Sequence, residues 1–297
     1  MPAKDPRQAK DPKQAKDIKA SILCHISDSL VLLSQQPLPD DAAVHDIRVM
    51  MKKQRAAVRL AKPLLDEAVY LREYLAGRET GRILATWRET AVLRKTIKAL
   101  KKENPGLFLK LWDNEKIQTL QRKPYATWAE AGVQAEAVGE VTVQLNKAKY
   151  RLRFIGLKDP DTRLLLGELD RSYRSAAAAY ILWRSKFKPR LLHEFRKKSK
   201  TFMYQLSYFR HLNPSATKSL EKKLDSMTQN LGKYNDLEQV KAMTGYKYGA
   251  PDNSDVANEL AIVIRDKQDR YLLKVWPVAY RLFTPGKKLQ DLLDMAF

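Results

Sequence analysis

The sequence predicts an all-α fold, and three features carry that prediction. From Ile18 onward apolar residues recur at three- and four-residue steps. Strand patterns and β-hairpin dipeptides are scarce. Prolines such as Pro105, Pro189, Pro214 and Pro251 fall at the joints between periodic segments.

The 297 residues suffice for one large or two medium domains with a substantial core. Residues 1–17 stand apart as a short repeat, AKDPRQ, AKDPKQ, AKD. Pro6 and Pro12 prevent a continuous helix there, and almost nothing apolar is present to bury, so a disordered basic arm is expected. The first helix is read from the face Ile22, Leu23, Ile26, Leu30 and Leu33, stopped by the turn at Pro37 to Pro39. Asp40 or Asp41 caps the second helix, which runs to about Pro63. Helical stretches follow at 66–76, 79–103, 107–121 and about 125–155. Within the last, Lys147 to Phe154 alternates charged and apolar residues; alone this fits a strand, but helix on both sides favours a helix end. Gly156 to Pro160 is the best boundary, dividing a first half at about 18–155 from a second at about 161–285 of one domain spanning 18–297. Helices are expected in the second half at 161–187, 189–211, 215–244 and 253–283. Pro277 should kink or interrupt the last, and 245–253 (GYKYGAPDN) reads as a loop.

The charge balance speaks of partners. Against 34 Asp and Glu stand 55 Lys and Arg, a formal net charge of +21. That favours nucleic acid, an anionic membrane surface or another phosphate polymer. The single cysteine, Cys24, excludes an intrachain disulfide and a cysteine-rich zinc site, and cytoplasmic residence is the natural expectation. With no run of about 18 apolar residues and no signal-peptide core, no membrane insertion is expected.

The cations are ordered. In VHDIRVMMKKQRAAVR (44–59), His45, Arg48, Lys52 and Arg55 follow at steps of three, four and three. On a helix they fall within an arc of roughly 80°, with Lys53 beside them and Ile47, Met50, Ala57 and Leu60 on the apolar flank. Like charges so spaced repel unless an anion lies opposite. The device recurs in HEFRKKSKTFMY (193–204), with His193, Arg196, Lys197 and Lys200, and with Tyr204 at helical spacing from Lys200. On a third helix Arg88, Arg94 and Lys98 are further candidates; Arg94 and Lys98 share a face. From His45 to Glu89 is 44 positions and from His193 to Asp236 is 43, so GRILATWRETAV and LGKYNDLEQV sit at equivalent places. A duplicated helical bundle with internal pseudo-twofold symmetry follows, its two basic rows facing a shared groove.

These residues resemble the CHAD domain, the conserved-histidine α-helical domain. His45, Arg48, Lys52, Lys53 and Arg55 are similar to its first histidine–arginine–basic cluster, and His193, Arg196, Lys197 and Lys200 to its second. Arg88-Glu89 resembles the family's arginine–aspartate pair, and LGKYND its leucine-glycine and asparagine-aspartate segment. Thr201 and Met203 stand where the family often has more arginine, so the second row is shorter. The resemblance implies two four-helix bundles around a basic central cavity, and non-catalytic binding of inorganic polyphosphate, with polyphosphate granules as a candidate location. No ExExK signature of a triphosphate tunnel enzyme is present.

Arginine grips phosphate oxygens through two parallel hydrogen bonds, whereas lysine acts as a compact charge. The site would also serve another phosphate or sulfate polyanion. As an enzyme the chain is poorly equipped, lacking a GxxxxGK loop, HExxH, CxxC or a Ser-His-Asp set. No cofactor is implied. Lysine and arginine around each histidine oppose metal binding, and phosphohistidine chemistry is a lesser alternative. Nucleic-acid binding is the main rival, since it shares the charge requirement. His45 and His193, titrating near neutrality, are expected to favour anion binding at mildly acidic pH.

Overall fold

The computed structural model describes residues 18–36, 38–112, 131–156, 162–243 and 255–294, with backbone alone at 111, 112 and 131. Among the described residues every regular element is a helix. The N-terminal arm, residues 113–130, most of the Gly156 to Pro160 boundary and the 245–253 stretch lie outside them.

Helix α1 is Ile18–Leu33 and α2 is Asp41–Leu60. Asp40 takes the cap, its Oδ1 accepting the Ala43 N–H at 2.7 Å. Asp41 instead accepts the Trp87 indole N–H at 2.9 Å, which ties the start of α2 to α4, Ala85–Glu103. Helix α3, Glu67–Ile83, closes the gap expected at 77–78, and the break falls at Leu84. The reason is packing. Gly77 lies against α2, where a Cβ would come within 2.0 Å of Gln54 Oε1, so this glycine serves close approach of two helices rather than a helix end.

Next come α5 (Pro105–Trp112), α6 (Ala131–Phe154) and α7 (Thr162–Lys186). The alternating Lys147 to Phe154 stretch is helical. Helix α8 is Pro189–Leu206, shorter than expected because a 3₁₀ turn, Ser207–Phe209, follows it. Helix α9 is Pro214–Met243, and α10, Asp255–Phe283, runs uninterrupted through Pro277. That proline lies on the exposed side of α10, where water can serve the carbonyl it leaves unpaired. A five-residue helix, α11 (Leu289–Leu293), is too short for its periodicity to have been legible.

Helix α2 lies between α1 and α3, and α6 packs on both of those; α8 lies between α7 and α9, and α10 packs on both of those. The two sets meet where α2 touches α7 and α8, and where α4 touches α9. The main core runs through this junction: Ile47, Met51 and Leu60 of α2 share one cluster with Phe195, Phe202 and Leu206 of α8. Gln205 of α8 also donates to the Ala56 carbonyl of α2 at 3.0 Å. Trp183 stacks between Phe195 and Trp276, with ring centroids 5.9 and 4.5 Å away. A smaller cluster joins Leu93 and Leu100 of α4 to Leu237 of α9 and Leu260 of α10. Phe195 is fully buried at this junction. Phe195→Ala is expected to cost about 3–5 kcal/mol, read from urea denaturation followed by circular dichroism.

Candidate cation site

The apolar residues that pack α2 and α8 decide where their cations go. Helix α2 buries Val44, Ile47, Met51 and Val58, and α8 buries Leu192, Phe195, Ser199 and Phe202. Those registers bring the polar flanks to the edge of the α2–α8 contact. Lys52 is within electrostatic reach of Arg196 and Lys200 from α8 as well as Arg48 and Arg55 on its own helix. Helix α4 contributes Arg88, beside His45 and Arg48. From α9 comes Asp236, within reach of Arg196, Arg88, Lys52 and Lys95. Side chains of four helices thus converge.

Both central arginines are tethered alike. Arg48 donates from Nη1 to the Gly81 carbonyl, and Arg196 from Nε to the Thr228 carbonyl at 3.2 Å. These carbonyls lie four residues before Ala85 and Gly232 respectively. The Arg196 guanidinium rests against Gly232, where a Cβ would come 3.0 Å from Nη2. His193 Nδ1 lies 3.1 Å from Asn235 Oδ1. An amide oxygen only accepts, so Nδ1 carries the proton and Nε2 is the nitrogen left to take up another.

The rows are unequal in free charge. Lys200 pairs with Asp225 at 3.0 Å and Lys197 with Glu194 at 2.6 Å. Among the described residues Arg48, Lys52 and Arg55 form no ion pair, and Lys52 makes no hydrogen bond. Glu89, exposed on α4, reaches Arg48 only as a neighbouring charge. Burial, then Arg196, pushes the Lys52 ammonium down to about 8. Burial, then Arg88, holds His45 at about 4, and burial, then Lys197, lowers His193. An imidazole titrates near neutrality in isolation; in the folded chain partial burial and neighbouring cations lower both, with His193 half-buried and His45 still exposed to water. Burial raises Asp236 against the pull of its four basic neighbours.

Other expected residues are placed less centrally. Arg55 turns toward Tyr74, Arg59 and Arg78, extending the positive field onto α3. Lys53 leans to the other side, near Lys200 and His25 of α1. Tyr204 lies under the Lys200 ammonium, 5.6 Å from ring centroid to nitrogen, with its hydroxyl pushed by burial to about 12. On α4, Lys95 shares the neighbourhood of Asp236. The signal was available, because Lys95 lies seven residues after Arg88, two helical turns along the same face. His25 and Asp225 carried no such signal, since only tertiary packing brings α1 and α9 to the rows. Among the described residues no group of three or more His, Cys, Asp or Glu is arranged to hold a metal ion, and no helix is long and apolar enough to cross a membrane.

The CHAD domain family matches this chain over residues 29–243. Among solved structures, the crystal structure of the CHAD domain from the plant Ricinus communis is similar, with a TM-score of 0.50 and 16% identity over 94% of this chain and 90% of that one. At that identity the likeness is one of fold. No curated protein matches the chain in sequence.

Burial, then Lys53, also holds His25 at about 4. Between pH 6.5 and 4 the unfolded chain therefore binds more protons at His25 and His45 than the folded one. Their contribution to stability is present above pH 6.5 and is lost as pH falls toward 4. Urea midpoints measured across this range should fall with pH, and His25→Gln should flatten part of the fall.

Proposed function

The chain belongs to the CHAD domain family, and from that premise together with the cation cluster we propose that it binds inorganic polyphosphate, without catalysis, in a groove between its two sets of helices. One observation carries the reading: the Lys52 ammonium lies among Arg48, Arg55, Arg196 and Lys200 with no ion pair among the described residues. A half-buried cation surrounded by cations is unfavourable alone and becomes favourable when a polyanion enters.

The halves are related by duplication. Leu84-Ala85 with Arg88-Glu89 answers to Leu231-Gly232 with Asn235-Asp236. Arg48 and Arg196 reach carbonyls at corresponding places, Gly81 and Thr228, and the helices form two sets of four with corresponding contacts. Pseudo-twofold symmetry accounts for all three, and it brings the two rows to one groove. In that groove Arg48, Arg88 and Arg196 set the geometry of the phosphates, and Lys52 and Lys200 supply potential. Asp236 keeps neighbouring guanidiniums in place, and Asp225 is displaced from Lys200 as phosphate enters.

Nucleic acid is the alternative that shares the charge. A duplex about 20 Å wide calls for an exposed strip of cations, whereas Arg48, Lys52, Arg196 and Lys200 are partly buried between helices. A thin phosphate chain suits them better. Proton uptake accompanies binding, because phosphate raises the low proton affinity of His45 and His193 toward neutrality.

Binding should weaken steeply with salt, the logarithm of affinity falling linearly with that of salt at a slope near −0.7 per neutralised phosphate. Arg48→Ala and Arg196→Ala should each lower affinity by roughly tenfold or more while leaving helicity unchanged by circular dichroism. Displacement of long-chain polyphosphate by duplex DNA at equal phosphate concentration would reject the assignment. Affinity measured by calorimetry should rise as pH falls from 7 to 5. Gly232→Ala should preserve or raise the melting temperature, as an alanine in mid-helix does, yet weaken polyphosphate binding by displacing Arg196.

A further inference from the structure

The junction of α7 and α8 carries the sequence RSKFKPR (184–190), and every residue of it is exposed. Phe187 occupies the position just past the helix with φ 47°, its N–H donating to the Trp183 carbonyl at 2.7 Å. Glycine is the usual residue in this left-handed cap, and a phenylalanine there is strained. The ring is nevertheless 66% exposed, so burial of its own surface does not explain the choice. Its aromatic contact is Trp276 of α10, at 6.0 Å, which in turn stacks on Trp183. The ring is therefore displayed from a rigid base.

Helix α10 continues the surface. Leu273 is 70% exposed and Tyr280 56%, one turn to either side of Trp276, and the Arg184 guanidinium lies over Tyr280 at 5.8 Å. Around this apolar centre stand Arg184, Lys186, Lys188 and Arg190 from the α7–α8 junction and Lys274 and Arg281 from α10. Neither 184–190 nor 271–283 contains an acidic residue.

We infer that this surface docks the protein on an anionic lipid bilayer, with Phe187, Leu273 and Tyr280 entering the headgroup boundary and the surrounding cations meeting lipid phosphates. Exposed aromatic and aliphatic side chains inside a basic rim have the composition of an interfacial anchor. Single-stranded nucleic acid would use the rings and the cations, but Leu273 offers a base nothing to stack on. A lipid boundary uses all of them. No described helix is able to span a bilayer, so the association is peripheral. None of the cations at the α2–α8 contact takes part, so the inference stands apart from the polyphosphate reading.

The test is cosedimentation of the full chain with phosphatidylcholine vesicles, with and without phosphatidylserine, at physiological ionic strength. Wild type should pellet with the serine-containing vesicles. Phe187→Gly and Leu273→Ser, neither of which alters net charge, should each reduce vesicle partition by roughly tenfold. Phe187→Gly should keep or raise the melting temperature, because glycine relieves the cap; should it lower it, Leu273→Ser decides on its own. Arg196→Gln should pellet as wild type does. Undiminished pelleting of both surface variants would show that the overall positive charge suffices, and would overturn the inference. So would variants that lose affinity for a single-stranded oligonucleotide while keeping it for vesicles.

Discussion

The arrangement depends on a repulsion the fold does not relieve. Lys52 is held near Arg48, Arg55 and Arg196 and, among the described residues, has no acid within ion-pair distance. Such a cluster opposes folding, since each charge is both desolvated and faced by its like. Apolar packing compensates directly behind it. The continuous core that joins α2 to α8, with Phe195, Phe202, Ile47 and Met51 fully buried, holds the two flanks together whatever their charges prefer. Stability is placed on one side of each helix and strain on the other, the usual division where a functional site is held by its scaffold.

Acids are present, but they are distributed in a way that grades the cluster. In the second half Asp225 and Glu194 neutralise Lys200 and Lys197, so an anion entering the proposed site would have to displace a carboxylate there. Among the described residues the first-half cations Arg48, Lys52 and Arg55 carry no such carboxylate. Asp236 is the exception that joins the halves, drawing on Lys52, Arg88, Lys95 and Arg196 at once. One half-buried carboxylate among four cations positions guanidiniums without cancelling the field. Removing its charge would release them, so Asp236 is a positioning residue of the proposed site.

Much of the fold was legible because helices bury one face and the residues on that face recur. The first-half row, a cap at Asp40 or Asp41 and prolines at the joints follow from spacing alone. Less legible were features set by contacts between helices. Gly77 looks locally like a weak point in a helix, yet it exists to let Gln54 approach. Lys95 reaches the site only because α9 brings Asp236 against that face of α4. Histidine charge is set in a related way: an imidazole titrates near neutrality in isolation, and His45 sits beside Arg88 only after α4 has docked on α2. Sequence spacing locates a residue on its own helix; its proton affinity belongs to the neighbours.

Helix α8 connects the two surfaces. Its N-terminal turn carries Arg190, at the rim of the exposed aromatic patch, and its next turns carry His193, Arg196 and Lys200. At about 1.5 Å per residue, Arg190 and Arg196 are roughly 9 Å apart along the axis, near the screening length of about 8 Å at physiological salt. A lipid surface and a phosphate chain would each lie within the other's field, so at low salt the two proposed anionic partners would oppose one another and at high salt they would act separately. The buried face of the same helix, Leu192, Phe195, Ser199 and Phe202, leaves no slack for it to tilt toward either. Coupling between the two proposed surfaces would therefore be electrostatic rather than conformational, carried by the cations that α8 presents to both.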